Sequence, residues 1–195
     1  MSHKIYHTEG FIVGGVNTGE ANRYISIFTK DLGLVRAMAQ GVRKITSKLR
    51  YSLQDFSYSK IDLVAGRDIW RITNAEKLFV FDKAITDAKL FKVFARILKL
   101  LKRLCPGEEK NEELFEDLKA SLIFMENETL TKEELEGFEL SVVLRMLYRL
   151  GYFGEKEDLD IFIKNPLNHE LLQEAHEKRK IIVNEINQSL QESQL

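Results

Sequence analysis

The sequence is poor in the residues that fix a fold by covalent or metal bonds. It has one cysteine, Cys105, so no internal disulfide forms, and a reducing compartment fits. One cysteine beside four scattered histidines (His3, His7, His169, His176) cannot build a structural zinc site. We therefore expect neither metal nor cofactor. No stretch approaches ~18 consecutive apolar residues, which excludes a membrane-spanning helix. The opening MSHKIYHTEG lacks the apolar core of a secretion signal, so a cytoplasmic location is expected. The N-x-S/T triplets at Asn127 and Asn187 then carry no weight. Arrangements for bond-making chemistry are also missing. Gly14 to Gly19 has the G-x4-G skeleton of a phosphate loop, but Glu20 stands where that loop needs lysine. Cys105 falls on the apolar side of a helical pattern, the usual place of a small buried hydrophobe. Paired carboxylates such as Glu133-Glu134 fit a helix first turn, where they complement the macrodipole. The expectation is a protein that is not an enzyme.

What is present is an ordinary soluble composition with uneven charge. The chain has 195 residues, 44% hydrophobic and 30% charged, enough for one large domain or two small ones. Net charge is −1, but residues 1–80 hold twelve Lys/Arg against seven Asp/Glu, a net of +5. The rest therefore carries −6. This split suggests a polyanion-facing module followed by an acidic one.

From Lys4 to Phe79 the hydrophobic period is two and glycine punctuates it. The pattern predicts strands over Ile5–Val16 (with a bulge or bend at Gly14-Gly15), Tyr24–Thr29, Leu34–Gln40, Ser52–Val64 and Ile69–Thr73, the last extending toward Phe79. Asn17-Thr18-Gly19 is the first turn. In the third strand Val35, Ala37 and Ala39 fall opposite Leu34, Arg36 and Met38. Five short strands with one long polar connection fit an OB-type barrel, with an SH3-like barrel open as the alternative.

Past Phe81 the period becomes 3.6. Asp82–Leu104 reads as one helix, or two meeting near Asp87, with Phe91, Phe94, Leu98, Leu101 and Cys105 on one stripe. Pro106-Gly107 stops it. An acidic helix follows over Glu108–Asn127, carrying Leu114, Phe115, Leu118, Leu122 and Met125. Thr131 and Glu134 form a capping box that starts a helix running to Leu150. That helix is apolar around most of its circumference and should be central. A last helix is expected from Asn165-Pro166 to about Gln191. The boundary falls near residue 80, giving a barrel over 1–80 and a helical domain over 81–195.

The strongest positive signal is the loop leaving the third strand, where Arg43, Lys44, Lys48 and Arg50 follow one another with no acid among them. Each can neutralise a phosphate without reading a base. Arg36 on the third strand, with Arg67 and Arg71 around the fifth, would extend the track. Tyr24, Tyr51, Tyr58 and Trp70 are candidate stacking platforms for unpaired bases, Trp70 being the one expected in the core. On the first long helix, Lys92, Arg96, Lys99 and Arg103 form a stripe of one sign. Its readings are a solvated face, a membrane-surface helix or a dock for an acidic peptide.

Several segments, in order, resemble the RecO family of recombination mediators. They are Thr8-Glu9-Gly10-Phe11-Ile12-Val13, Gly19-Glu20-Ala21-Asn22, Ile27-Phe28-Thr29, Gly33-Leu34, Ala37-x-Ala39-x-Gly41-Val42-Arg43, Ser47 and Leu53-Gln54-Asp55-Phe56. Phe138-Glu139-Leu140 and Leu150-Gly151-Tyr152 resemble that family's central helix. Many members place a four-cysteine zinc module after the Leu-Gly-Tyr; residues 153–165 have no cysteine, so the resemblance is to a zinc-less form.

The resemblance implies an α+β protein, an OB-fold barrel followed by a helical bundle. It implies binding and annealing of single-stranded DNA, and help in loading RecA onto strands covered by single-strand-binding protein. On this chain the DNA role falls to Arg36, Arg43, Lys44, Lys48, Arg50, Arg67 and Arg71. Lys92, Arg96, Lys99 and Arg103 would meet the acidic tail of single-strand-binding protein, with RecR and RecA as further partners. The alternatives are an OB-fold protein–protein adaptor that binds no DNA, and an RNA-binding OB protein.

Overall fold

A computed structural model describes residues 4–79, 81–154 and 156–192, apart from the side chains of residues 84 and 85. His3 lies outside the described residues. The chain forms two compact units, one of residues 1–81 with 105–112, the other of 82–104 with 113–195.

The first unit is a closed barrel of five strands: β1 (Ile5–Thr18), β2 (Asn22–Thr29), β3 (Gly33–Ala39), β4 (Tyr58–Ala65) and β5 (Trp70–Phe79). Their spatial order is β1-β2-β3-β5-β4. All neighbours are antiparallel except β3 and β5, which close the barrel in parallel through Ala37 with Trp70 and Met38 with Arg71. Alternation drives the closure. Ile12, Ile25, Ile27, Val35, Ala37, Ile61 and Leu63 point inward and are buried together. Arg36 points out from β3, with Leu34 and Met38 half-buried on the same face. The register shift between Ile12 and Gly14 marks the bulge expected at the glycine pair.

Two expectations in this unit are corrected. The first turn is Gly19-Glu20-Ala21, because Asn17 and Thr18 still pair with Arg23 and Asn22. The fourth strand starts at Tyr58 instead of Ser52. Leu49–Ser52 is a short helix, α1, and Leu53 closes it by donating its amide to the Leu49 carbonyl at 3.0 Å. Phe56 then takes a left-handed φ of 66° and donates to the Ile12 carbonyl at 2.8 Å, which turns the chain into β4.

Residues 105–112 belong to this unit. The Leu34 amide donates to the Gly107 carbonyl at 2.8 Å. Gly33, at φ 69°, has the Glu109 backbone where a Cβ would sit, so only glycine fits there. This accounts for a further correction: the acidic helix begins at Glu112, since residues 108–111 are irregular, with the Glu109 amide turned back onto the Gly107 carbonyl at 2.9 Å.

The second unit is helical: α2 (Asp82–Thr86), α3 (Ala88–Leu104), α4 (Glu112–Asn127), α5 (Lys132–Arg149), α6 (Asp160–Lys164), α7 (His169–Glu177) and α8 (Arg179–Glu192). The helices meet at Asp87, whose Oδ1 accepts from the Lys89 amide at 2.7 Å and caps α3. The buried face of α3 runs through Leu90, Phe94, Ile97, Leu98, Leu101 and Leu104. Phe94, Leu98 and Leu101 are buried as expected, but Phe91 is exposed at 37% and Cys105 lies past the helix end, half-buried, so Leu90 and Leu104 replace them at the two ends of the stripe. Both arms of the capping box form, Glu134 N to Thr131 Oγ1 at 3.2 Å and Thr131 N to Glu134 Oε2 at 2.7 Å. Helix α5 is central, packing on α3, α6, α7 and α8.

At Gly137 of α5 a methyl group would overlap the Leu172 carbonyl of α7, so the two backbones touch there. Arg145, 8% exposed, donates from Nε to the Phe162 carbonyl at 2.8 Å and so caps the C-terminal end of α6 from outside. The expected last helix is corrected to two, α7 and α8, with the short α6 preceding its expected start. Asn168 caps α7 by accepting from the Leu171 amide, and Lys178 separates α7 from α8.

Candidate nucleic-acid interface

The barrel register gathers a row of side chains on its outer surface. Val16 of β1 stands opposite Tyr24 of β2, Tyr24 opposite Met38 of β3, and Met38 opposite Arg71 of β5. Strands lie ~4.8 Å apart, so the row spans about 14 Å, room for two nucleotides. Arg36, two residues before Met38 on the same face, holds its guanidinium over the Tyr24 ring at 4.7 Å. A planar cation on an aromatic ring is a surface on which a base can stack.

Beside the row lies a groove of about 580 Å³, lined among others by Asn22, Met38, Gln40, Arg67, Asp68 and Arg71. It sits where β3 and β5 share only two register positions, so the β4–β5 turn forms one of its walls. The basic loop starts at this end of the barrel. Asn22 Oδ1 accepts from the Gly41 amide at 2.8 Å. Arg43 donates its amide to the Ala21 carbonyl at 3.0 Å and its Nη1 to the Gly19 carbonyl at 3.2 Å.

Arg36, Arg43, Lys44, Lys48, Arg50, Arg67 and Arg71 are all exposed. Among the described residues, none has a carboxylate within 4 Å. Arg23 shows the contrast: its Nη2 donates to both Asp55 oxygens, at 2.7 and 2.8 Å, so its charge is spent internally. The seven cations do not form one cluster. Arg67 and Arg71 line the groove, Arg36 and Arg43 flank it, and Lys44, Lys48 and Arg50 lie along the loop and α1 outside its lining.

Of the four aromatic candidates, Tyr24 stands in the row. Tyr51 is 58% exposed, with the Lys77 ammonium 4.0 Å from its ring centroid. Tyr58 is buried, stacked on Phe11 at 4.7 Å, and its hydroxyl donates to Glu9. Trp70 packs half-buried against the barrel core with its ring edge-on to Tyr6 at 5.1 Å. Sequence reasoning passed over Asn22, Gln40 and Met38. Their pattern is that of any outward strand-end residue, so nothing local distinguishes them.

The basic stripe of the helical unit divides. Arg96 is bound to Glu139, Nε to Oε1 at 2.5 Å, and this hydrogen bond raises the guanidinium above its ordinary pKa. Lys92 and Arg96 line a cavity of about 270 Å³ whose walls include Val93, Leu135, Lys89 and Glu139. Lys99 and Arg103 are exposed and are not among its lining. Cys105 is poorly suited to attack, because burial pushes its thiol up to about 12. Among the described residues no group of three or more His, Cys, Asp or Glu is placed to hold a metal. No helix among them is long and apolar enough to cross a membrane.

A closed five-stranded barrel with this order and a cationic outer groove, joined to a helical unit, is an OB-fold protein of α+β class. Residues 1–81 match the family model described as Recombination protein O N terminal. The chain is 32% identical over 137 residues to the DNA repair protein RecO of Alkaliphilus metalliredigens, covering 70% of this chain and 56% of that one. It is 31% identical to the DNA repair protein RecO of Dehalococcoides mccartyi (74% and 57% covered) and 29% to that of Thermodesulfovibrio yellowstonii (77% and 59%). The barrel thus matches the RecO N-terminal domain, and about three quarters of the chain is similar to RecO proteins. The chain spans a little over half the length of these curated relatives.

Proposed function

We propose that the protein binds single-stranded DNA across the outer face of its barrel, with phosphates held by Arg36, Arg43, Lys44, Lys48, Arg50, Arg67 and Arg71. In that role it anneals strands and helps RecA load onto DNA covered by single-strand-binding protein. One observation carries the reading: seven exposed cations in the barrel unit have no carboxylate partner among the described residues, and two of them line the groove. Cations kept from internal neutralisation are the requirement for counterion release on binding a polyanion. The Tyr24–Arg36 stack supports a strand with unpaired bases over a duplex, whose bases offer no open face.

The deciding experiment is fluorescence anisotropy with labelled poly-dT at several salt concentrations. The expected log–log slope is about −3 to −4, for ~5 phosphates engaged on a single strand. An affinity indifferent to salt would contradict the mechanism, and stronger competition by matched RNA would transfer the reading to RNA.

The helical cavity supports a second element of the proposal, a dock for the acidic tail of single-strand-binding protein. Its apolar walls, Val93 and Leu135, can take a hydrophobic end group, while Lys89 and Lys92 meet the acids before it. Arg96 would have to exchange Glu139 for the tail's carboxylate. RecR is a further proposed partner.

A further inference from the structure

We propose that Ile45 is an apolar wedge that enters between neighbouring bases of the bound strand, held there by Arg43, Lys44 and Lys48 on the flanking phosphates. The inference rests on the single-stranded DNA reading and adds a contact that charge does not supply. Ile45 is 89% exposed, the most exposed large hydrophobic side chain among the described residues. It occupies the first corner of a turn, Lys44-Ile45-Thr46-Ser47, closed by the Ser47 amide donating to the Lys44 carbonyl at 3.0 Å. Turns are rich in Gly, Pro, Asn, Asp and Ser, which supply the backbone angles or local hydrogen bonds a turn uses; isoleucine supplies neither.

A lone exposed isoleucine needs no explanation on its own. Two features set this one apart. First, the loop beneath it is anchored: Val42 is buried in the barrel core, Gly41 is bonded to Asn22, and Arg43 is bonded to Gly19 and Ala21. The tip is thus presented on a fixed base. Second, every charged residue within five positions of it in the chain is positive, with Arg43, Lys44 and Lys48 all exposed and without a carboxylate partner among the described residues.

An apolar tip ringed by cations suits a polyanion that has an apolar interior. A nucleic acid meets both conditions, since aliphatic side chains slide between unstacked bases while cations hold the phosphates. An anionic membrane is the rival, but one four-carbon side chain is short of what membrane anchoring needs, given that a whole myristoyl chain binds only marginally.

The test uses the full chain and a labelled dT oligonucleotide across a salt series, with Ile45→Ala, Ile45→Leu and Lys44→Ala. Ile45→Ala is expected to weaken binding about tenfold at every salt concentration, leaving the salt slope unchanged. Ile45→Leu should retain most of the affinity, and Lys44→Ala should lower the slope by ~0.7. With 2-aminopurine in the strand, the wild-type protein at saturation should raise its fluorescence by unstacking it, and Ile45→Ala should not. If the wild type binds with the expected salt slope and Ile45→Ala is within twofold of it, the wedge is wrong while the DNA reading stands. If the wild type binds no DNA, both fail. If Ile45→Ala abolishes binding to phosphatidylserine vesicles and leaves DNA binding intact, the tip serves a membrane and the proposal is overturned.

Discussion

Met38 and Arg71 face each other across the parallel seam that closes the barrel, and both line the same groove. The position is decided by the seam. Strands β3 and β5 share two register positions before they diverge, so the residues at that point sit at the mouth of a cleft instead of in a continuous sheet.

Replacing Arg67 and Arg71 together by Ala should therefore weaken single-stranded DNA binding more than replacing Lys48 and Arg50. The salt slope should become shallower by ~0.7 for each phosphate contact removed. Replacing Arg43, Lys44 and Lys48 together should weaken binding to all sequences about equally. Anisotropy titrations at three salt concentrations separate these outcomes, and equal losses for the two pairs would argue against the groove.

Charge reversal at Lys92 and Arg96 should lower affinity for an acidic, phenylalanine-ended peptide, read by isothermal titration. Arg96→Glu also places a second acid against Glu139, so it should cost some stability. Unchanged peptide affinity in Lys92→Glu alone, where no internal pair is broken, would remove the helical cavity as the docking site.

Gly137→Ala should destabilise the helical unit by about 1–3 kcal/mol, the range for overpacking a filled site. Helix propensity alone predicts the opposite sign, a gain of about 1 kcal/mol. Urea denaturation distinguishes them, because a Cβ at this position can only be accommodated if α7 moves from the Leu172 carbonyl.

His169 Nδ1 lies 2.8 Å from Glu134 Oε1 and its Nε2 lies 3.4 Å from Glu128 Oε2, and these two hydrogen bonds raise its pKa above the usual 6.5. A raised folded-state value means the stabilisation is complete below about 6.5, the unfolded value, and is lost as pH climbs through the folded value. His169→Gln should accordingly remove the part of the Tm decline that occurs above pH 6.5, measured by thermal melts across that range. An imidazole titration by NMR at or below 6.5 would refute the pairing.

Cys105 should label slowly with iodoacetamide at pH 8 and rapidly once urea unfolds the chain, since burial holds its thiol near 12. Fast labelling of the native protein, followed by mass spectrometry, would show that the thiol is accessible.

The chain's own alternation determined much of this protein. Val35, Ala37 and Ala39 point inward while Arg36 points outward, as a period of two requires, and the glycine pair after Val13 marks the bulge. Thr131 and Glu134 announced their helix start three residues apart, because a capping box is a contact between near neighbours. The positive loop was legible for the same reason. Contacts between residues far apart in the chain were decided by the tertiary structure. Parallel closure brought Met38 and Arg71 together, Glu139 claimed Arg96 from 43 residues away, and Asp55 claimed Arg23 from 32. Helix α1 is a single turn, too short to show a period. Local patterns fix which side of an element is apolar, but which outward cations are left unpaired and converge depends on how the barrel closes. That is settled by the core packing inside it.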